Sequence, residues 1–178
     1  MSVRAVFCLI LCVFSVSSFA EQPELGPVIE AYGPTFMVPE KDIPLVDDFQ
    51  YRVVFELAKY SADTTSMNAQ LVRVARFANM HARQGISMEQ MDLAVVAHAD
   101  ALKSMLNHAS YRERFGSDNP NLDLLEKLAD AGVKMYVCGQ SMGFRQWDLD
   151  ELAEPVNVGL SAMTLISNHQ AEGFTFQP

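Results

Sequence analysis

The sequence predicts an α/β fold built on a mainly parallel sheet that is covered on both faces. Three observations carry that reading. From Tyr51 onward, β-rich runs alternate with stretches of helical periodicity, the runs are strongly apolar, and glycines close the helical stretches. Alternation of this kind is what parallel pairing demands, because each crossover returns the chain to the same end of the sheet.

Residues 51–57 form the first strand. Leu71, Val74, Ala75, Ala78 and Ala82 then recur at helical spacing, and Gly85 stands where a helix ends in the left-handed region. Residues 92–97 are an apolar run that stops at His98, the second strand. A short helix over 102–107 follows, then a loop with some local order over 110–121, in which Pro120 and Asn121 open the next helix. Leu122, Leu125 and Leu128 mark that helix and Gly132 ends it. Residues 133–137 form the third strand, running into Cys138-Gly139-Gln140-Ser141. A short helix through Met142, Phe144 and Trp147 comes next, then an acidic loop over 148–154 and a short strand over 156–158. A helix over 160–172, closed by Gly173, and an edge strand over 174–176 complete the chain.

Two segments precede this domain, which spans 51–178. Residues 1–20 read as a cleavable leader: Arg4 starts it, residues 5–16 are apolar, and Ser18 and Ala20 are small residues placed for cleavage before Glu21. The apolar run falls short of the ~20 residues that a membrane span needs. Lipid attachment at Cys8 or Cys12 is disfavoured, because Phe7 and Leu11 stand where a small residue is required. The expected location is periplasmic or secreted. Residues 21–50 carry Pro23, Pro27, Pro34, Pro39 and Pro44, so this arm is expected to run extended and to dock through its apolar residues.

The formal net charge is −9, and the leader contributes only a positive group, so the mature chain is more acidic still. Such a chain repels phosphate backbones and anionic headgroups, which argues against nucleic acid and membrane-surface partners. There is no phosphate-binding glycine loop, no dinucleotide fingerprint and no serine-hydrolase elbow, so no cofactor is expected.

In open parallel sheets, ligands sit outside the carboxyl ends of the strands. His98 and Cys138 fall at that edge. Loss of the leader would leave Cys138 as the one cysteine, unable to form an internal disulfide. A helix starting near Ser141 offers free N–H groups, which can lower a thiol pKa from about 8.5 into a range of ~3.5–7.5. Gly139 permits a tight turn there, and the amides of Gly139, Gln140 and Ser141 are the groups that would face a ligand. The alternative is a buried structural thiol, a common fate of free cysteine. His98 either tunes Cys138, accepts a proton, or bonds a loop carbonyl. His81 reads as a helix-terminal surface or interface residue, and His108 and His169 as solvated. Arg112 and Arg114 beside Tyr111 and Phe115 read as a solvated face. Cys138, His98 and a methionine are soft enough together for copper(I), yet no paired ligand spacing supports a metal site.

Taken as an ordered set, residues 76–82, 93–98, 111–116 with 119–121, and 133–141 resemble the exported branch of the DsrE/DsrF-like family. The similarity runs from Gly26-Pro27-Val28-Ile29-Glu30 onward. The resemblance implies a three-layer α/β/α domain with a mostly parallel five-stranded sheet, assembled as a homo-oligomer. It also implies that Cys138, which lines up with the cysteine after the third strand, bears a persulfide as in the family's cytoplasmic sulfur-relay members. Gly139-Gln140-Ser141 departs from the small apolar run of those members, and only Arg145 stands where they carry an arginine pair. An exported chain would also lie beyond the reach of their cytoplasmic partners.

Three functions follow as expectations. The first is sulfur handling, with Cys138 accepting and passing on sulfane sulfur from a protein or a small sulfur compound, His98 adjusting the thiol, and the amides of residues 139–141 stabilising charge. The second is a non-catalytic oligomeric module that binds a small ligand or partner beside Cys138, using the arm and the Phe144/Trp147 pair as interface. The third is copper or zinc binding.

Overall fold

The computed structural model describes residues 22–46 and 48–178. The expected leader, with Arg4, Cys8, Cys12 and the cleavage position at Ala20, lies outside the described residues. In chain order the elements are β1 (Tyr51–Leu57), α1 (Ala69–Arg83), β2 (Met91–Ala97), α2 (His108–Phe115), α3 (Leu122–Asp130), β3 (Lys134–Cys138), α4 (Gly139–Arg145), β4 (Val156–Gly159), α5 (Ala162–Ala171) and β5 (Thr175–Gln177). The strands form one sheet in the order β4-β3-β2-β1-β5, and every pair is parallel. No helix among the described residues is long and apolar enough to cross a membrane.

Side chains alternate across the pleat, and this divides the core unequally. Phe55, Leu57, Leu93, Val95, Met135 and Val137 face one way and meet Leu71, Val74 and Ala78 of α1 and Leu124, Leu125 and Leu128 of α3. Val54, Ala94, Val96 and Cys138 face the other way, toward Ala162 at the start of α5 and Phe174. α5 packs across β1, β2 and β3. A polar residue at a strand's carboxyl end on this thinner side therefore opens onto the margin of α5.

The arm is less extended than its prolines suggest. Glu24 and Thr35 pair as an antiparallel bridge, and the loop between them is pinned by Asn79 of α1. The Asn79 carboxamide oxygen accepts from the N–H groups of Val28 and Ile29 at 3.0 and 2.8 Å. Its nitrogen donates to the carbonyls of Ile29, Tyr32 and Gly33 at 3.1, 2.8 and 3.1 Å. Ile29 is thereby held in the main core. Gly33 has φ +66°, and a Cβ there would stand 2.4 Å from the Arg76 nitrogen, so only glycine lets the loop approach α1 this closely.

Several local expectations are corrected. Residues 108–115 are helical, not a loop: Asn107 caps α2 by accepting from the Ser110 N–H at 2.8 Å. Only Tyr111 of α2 is buried, so the helix shows no apolar period to read. The short helix expected over 102–107 is instead a 3-10 stretch over Ala99–Met105, and the carbonyls of Ser104 within it and Leu106 just after it accept from Asn119. The helix expected over 160–172 is shorter at both ends, because Ser161 caps α5 from outside it.

His81 and His169 are buried, contrary to their polar reading. His81 donates from Nδ1 to the Phe77 carbonyl at 2.9 Å, and its ring stacks 4.0 Å from that of Phe77. Burial pushes its pKa below the ordinary value, partly offset by the Phe77 carbonyl. His169 donates to the Leu165 carbonyl and lies between the rings of Tyr136 and Phe174. Arg114 is not a freely solvated charge either, for it makes two hydrogen bonds to the Glu151 carboxylate at 2.6 and 2.7 Å. Arg112 pairs with Asp118.

Candidate functional site

The parallel register brings the chemistry together. Ala97 stands opposite Val137, so the next step along β2 and β3 sets His98 beside Cys138. Cys138 in turn stands opposite Gly159 at the end of β4. Period-two alternation sends Glu56, His98 and Cys138 to the same face, the side covered by α5. All three line one cleft of about 560 Å³, together with Gln140, Ser161, Ala162, Met163, Ile166 and Ser167.

Cys138 is the last residue of β3 and the N-cap of α4, where its sulfur accepts from the Ser141 N–H at 3.4 Å. Only 5% of the residue is exposed, but that fraction opens into the cleft. Burial is the largest influence on the thiol and pushes its pKa up. The Ser141 hydroxyl and the backbone N–H groups of Ser141, Ala162 and Gln140 outweigh it, so the net shift is downward. The starts of α4 and α5 thus both direct N–H groups at one sulfur, the arrangement that favours a thiolate.

Gly139 serves this geometry differently from the tight turn the sequence suggested. Its φ is not positive; a Cβ there would stand 2.8 Å from the Gly159 carbonyl oxygen. Gly159 is equally constrained, since its Cβ would meet the Leu165 side chain at 2.5 Å. These two glycines let α4, β4 and α5 close around the sulfur.

His98 makes its hydrogen bond through Nε2 to the Glu56 carboxylate at 2.9 Å. A carboxylate only accepts, so Nε2 carries the proton and Nδ1 is left to exchange one. The backbone just after His98 is under strain: Ala99 has φ +47°, a conformation that costs an L-residue roughly 1–2 kcal/mol. Strain of this kind collects at functional sites. Arg145 closes α4 and pairs with Asp100 at 3.4 Å.

Glu56 escaped the sequence reading. Its signal was a lone carboxylate among valines, with the parity of Val54 and one residue short of the strand's end. Gln140 lines the cleft, whereas Gly139 lies over an adjacent hollow of about 270 Å³ with Gln140, Gly143 and Phe144. Ser141 reaches the sulfur through its N–H. The Phe144/Trp147 pair is split: Phe144 is 88% exposed, whereas Trp147 packs on the main core beneath the Arg114 guanidinium. Another cleft, about 500 Å³ between the arm and α3, is lined by Glu30, Lys127 and Asp130 but by no nucleophile. Among the described residues, no three His, Cys, Asp or Glu side chains converge as a metal site requires.

Comparison with known proteins agrees with this architecture. The DsrE/DsrF-like family matches residues 51–176. The chain belongs to that family. Among solved structures, it is similar to a protein of unknown function, MTH1491, from Methanobacterium thermoautotrophicum. The match has a TM-score of 0.56 and 20% identity, and covers 72% of this chain and 98% of the other. At that identity it attests the fold, a five-stranded parallel α/β sheet. No curated protein matches.

Proposed function

We propose that this member of the DsrE/DsrF-like family is an exported sulfur carrier that takes sulfane sulfur onto Cys138 as a persulfide and passes it on. One observation carries the reading: a sulfur at the carboxyl edge of the sheet accepts the Ser141 N–H at the start of α4, has the backbone N–H of Ala162 at the start of α5 among the donors that lower its pKa, and opens into a cleft shared with His98. Those donors favour a thiolate, and the thiolate is the nucleophile in exchange at sulfur. They would equally support the anionic terminus of a bound persulfide. An oligomeric assembly and a sulfur-donating or sulfur-accepting partner belong to the same proposal.

The test is exposure of residues 21–178 to polysulfide, with the intact mass read before and after reduction. One reducible sulfur is expected on the native protein and none on Cys138→Ser. If Cys138 alkylates readily yet gains no sulfur, the carrier reading is lost.

A second reading, a ligand- or partner-binding module without chemistry, is favoured by the apolar surface beside the cleft, where Leu160 and Met163 join Phe144 in solvent. Under that reading, Cys138→Ser leaves binding intact.

A further inference from the structure

We propose that the Cys138 cleft selects sulfane-sulfur donors of low charge over sulfur oxyanions, and that Glu56 is the residue that sets this selectivity. The inference rests on the persulfide reading of Cys138 and adds the class of donor it accepts.

The charge of the cleft points there. None of its lining residues is Lys or Arg, and Glu56 places a carboxylate in it. Arg145, the cation of the neighbouring helix end, is engaged by Asp100. A dianion such as thiosulfate would therefore approach a like charge with no cation to receive it, inside a chain whose net charge is already −9. Ala162, Met163 and Ile166 give the cleft an apolar part to its lining, suited to an uncharged organic group on the donor.

The cleft also holds a group that can carry the proton such a donor needs. Glu56 holds His98 through Nε2; in the proposed step its Nδ1, in the same cleft as Cys138, takes the thiol proton. The thiolate then attacks the outer sulfur of a hydropersulfide R–S–S–H. A bond forms from Sγ to that sulfur as the S–S bond of the donor breaks, and its electron pair departs with RS⁻. His98 returns the proton to RS⁻, giving RSH and the Cys138 persulfide, with no external oxidant or reductant. Thiosulfate would instead expel sulfite, which gains little from a proton donor and is repelled by Glu56.

The experiment compares reagents of lower and higher negative charge on the native protein, Glu56→Gln and Glu56→Asp. Sulfur loading is followed by intact mass with the persulfide of 2-mercaptoethanol and with thiosulfate. Alkylation of Cys138 is followed in parallel with iodoacetamide and iodoacetate, which probes charge without sulfur chemistry. The rate ratio of the less to the more negatively charged reagent should fall about fivefold in Glu56→Gln for both reagent pairs, and Glu56→Asp should restore it. High salt should shrink the difference. Ratios unchanged in Glu56→Gln overturn the proposal and leave the carrier reading standing. If iodoacetamide modifies Cys138 but neither sulfur donor does, the carrier reading falls and takes this inference with it.

Discussion

Asn79 and Cys138 are both largely withdrawn from solvent at helix-borne junctions, yet their bonding capacity is used in opposite ways. Asn79 spends its whole carboxamide on the arm, with five hydrogen bonds to backbone groups of residues 28–33. Cys138 receives N–H groups on one side and keeps the other side of its sulfur open to a cleft. The difference teaches where to look for chemistry in this fold. A saturated polar group is mortar, whereas one held by donors but left a free approach is a tool.

Breaking the saturated centre should cost most. Asn79→Ala would take the partner from the Val28 and Ile29 N–H groups and from the Tyr32 and Gly33 carbonyls, while the Ile29 carbonyl keeps the Tyr32 N–H. Unfolding in urea should show a loss of about 3 kcal/mol, from penalties of ~1–3 kcal/mol per unsatisfied group with partial rescue by water. Proteolysis of the arm between residues 24 and 35 should quicken as well. A variant that keeps native stability and a protected arm would mean that the five bonds are replaceable.

Gly139→Ala perturbs the open centre through packing. Its Cβ falls 2.8 Å from a backbone oxygen that cannot swing aside, so a loss of about 1–3 kcal/mol in thermal or urea unfolding is expected. The same shift should move α4 off the sulfur and slow alkylation of Cys138 at neutral pH. Unchanged stability and reactivity would show that β4 yields freely.

The smallest effect sharpens the contrast. The rate of Cys138 alkylation against pH should have its midpoint below the ~8.5 of a free thiol. Because the folded pKa is depressed, the stability this thiolate contributes is fully present above the unfolded pKa and is lost as pH falls through the folded one. Stability should therefore rise through that window in the native protein and not in Cys138→Ser. A midpoint at or above that of a free thiol would mean that burial outweighs the donors.

Much of this was legible from residue patterns. The five strands and a mainly parallel sheet followed from apolar runs alternating with helical periods, though not the strand order, and Cys138 and His98 were placed at one sheet edge by chain position alone. α2 was not, because a helix with one buried side chain leaves no stripe. The burial of His81 and His169 was hidden for a related reason: each satisfies a ring nitrogen on its own helix, at Phe77 and Leu165, and so travels inward as an aromatic. Glu56 was missed because its meaning depends on a neighbour forty-two residues away, which only strand register supplies. Gly139 was noticed for the wrong property, since a close approach to Gly159 has no local sequence mark.

The N–H of Ala162 has a consequence for motion. If that group helps charge the sulfur, the charged sulfur must hold the first turn of α5 by the same free energy, because coupling between two events is reciprocal. A helix that covers the thin side of the sheet almost alone would then sit more firmly when Cys138 is ionised or loaded and more loosely when it is protonated. Cargo and cover become one equilibrium, so that a receiver able to draw α5 aside would also be drawing the sulfur toward release.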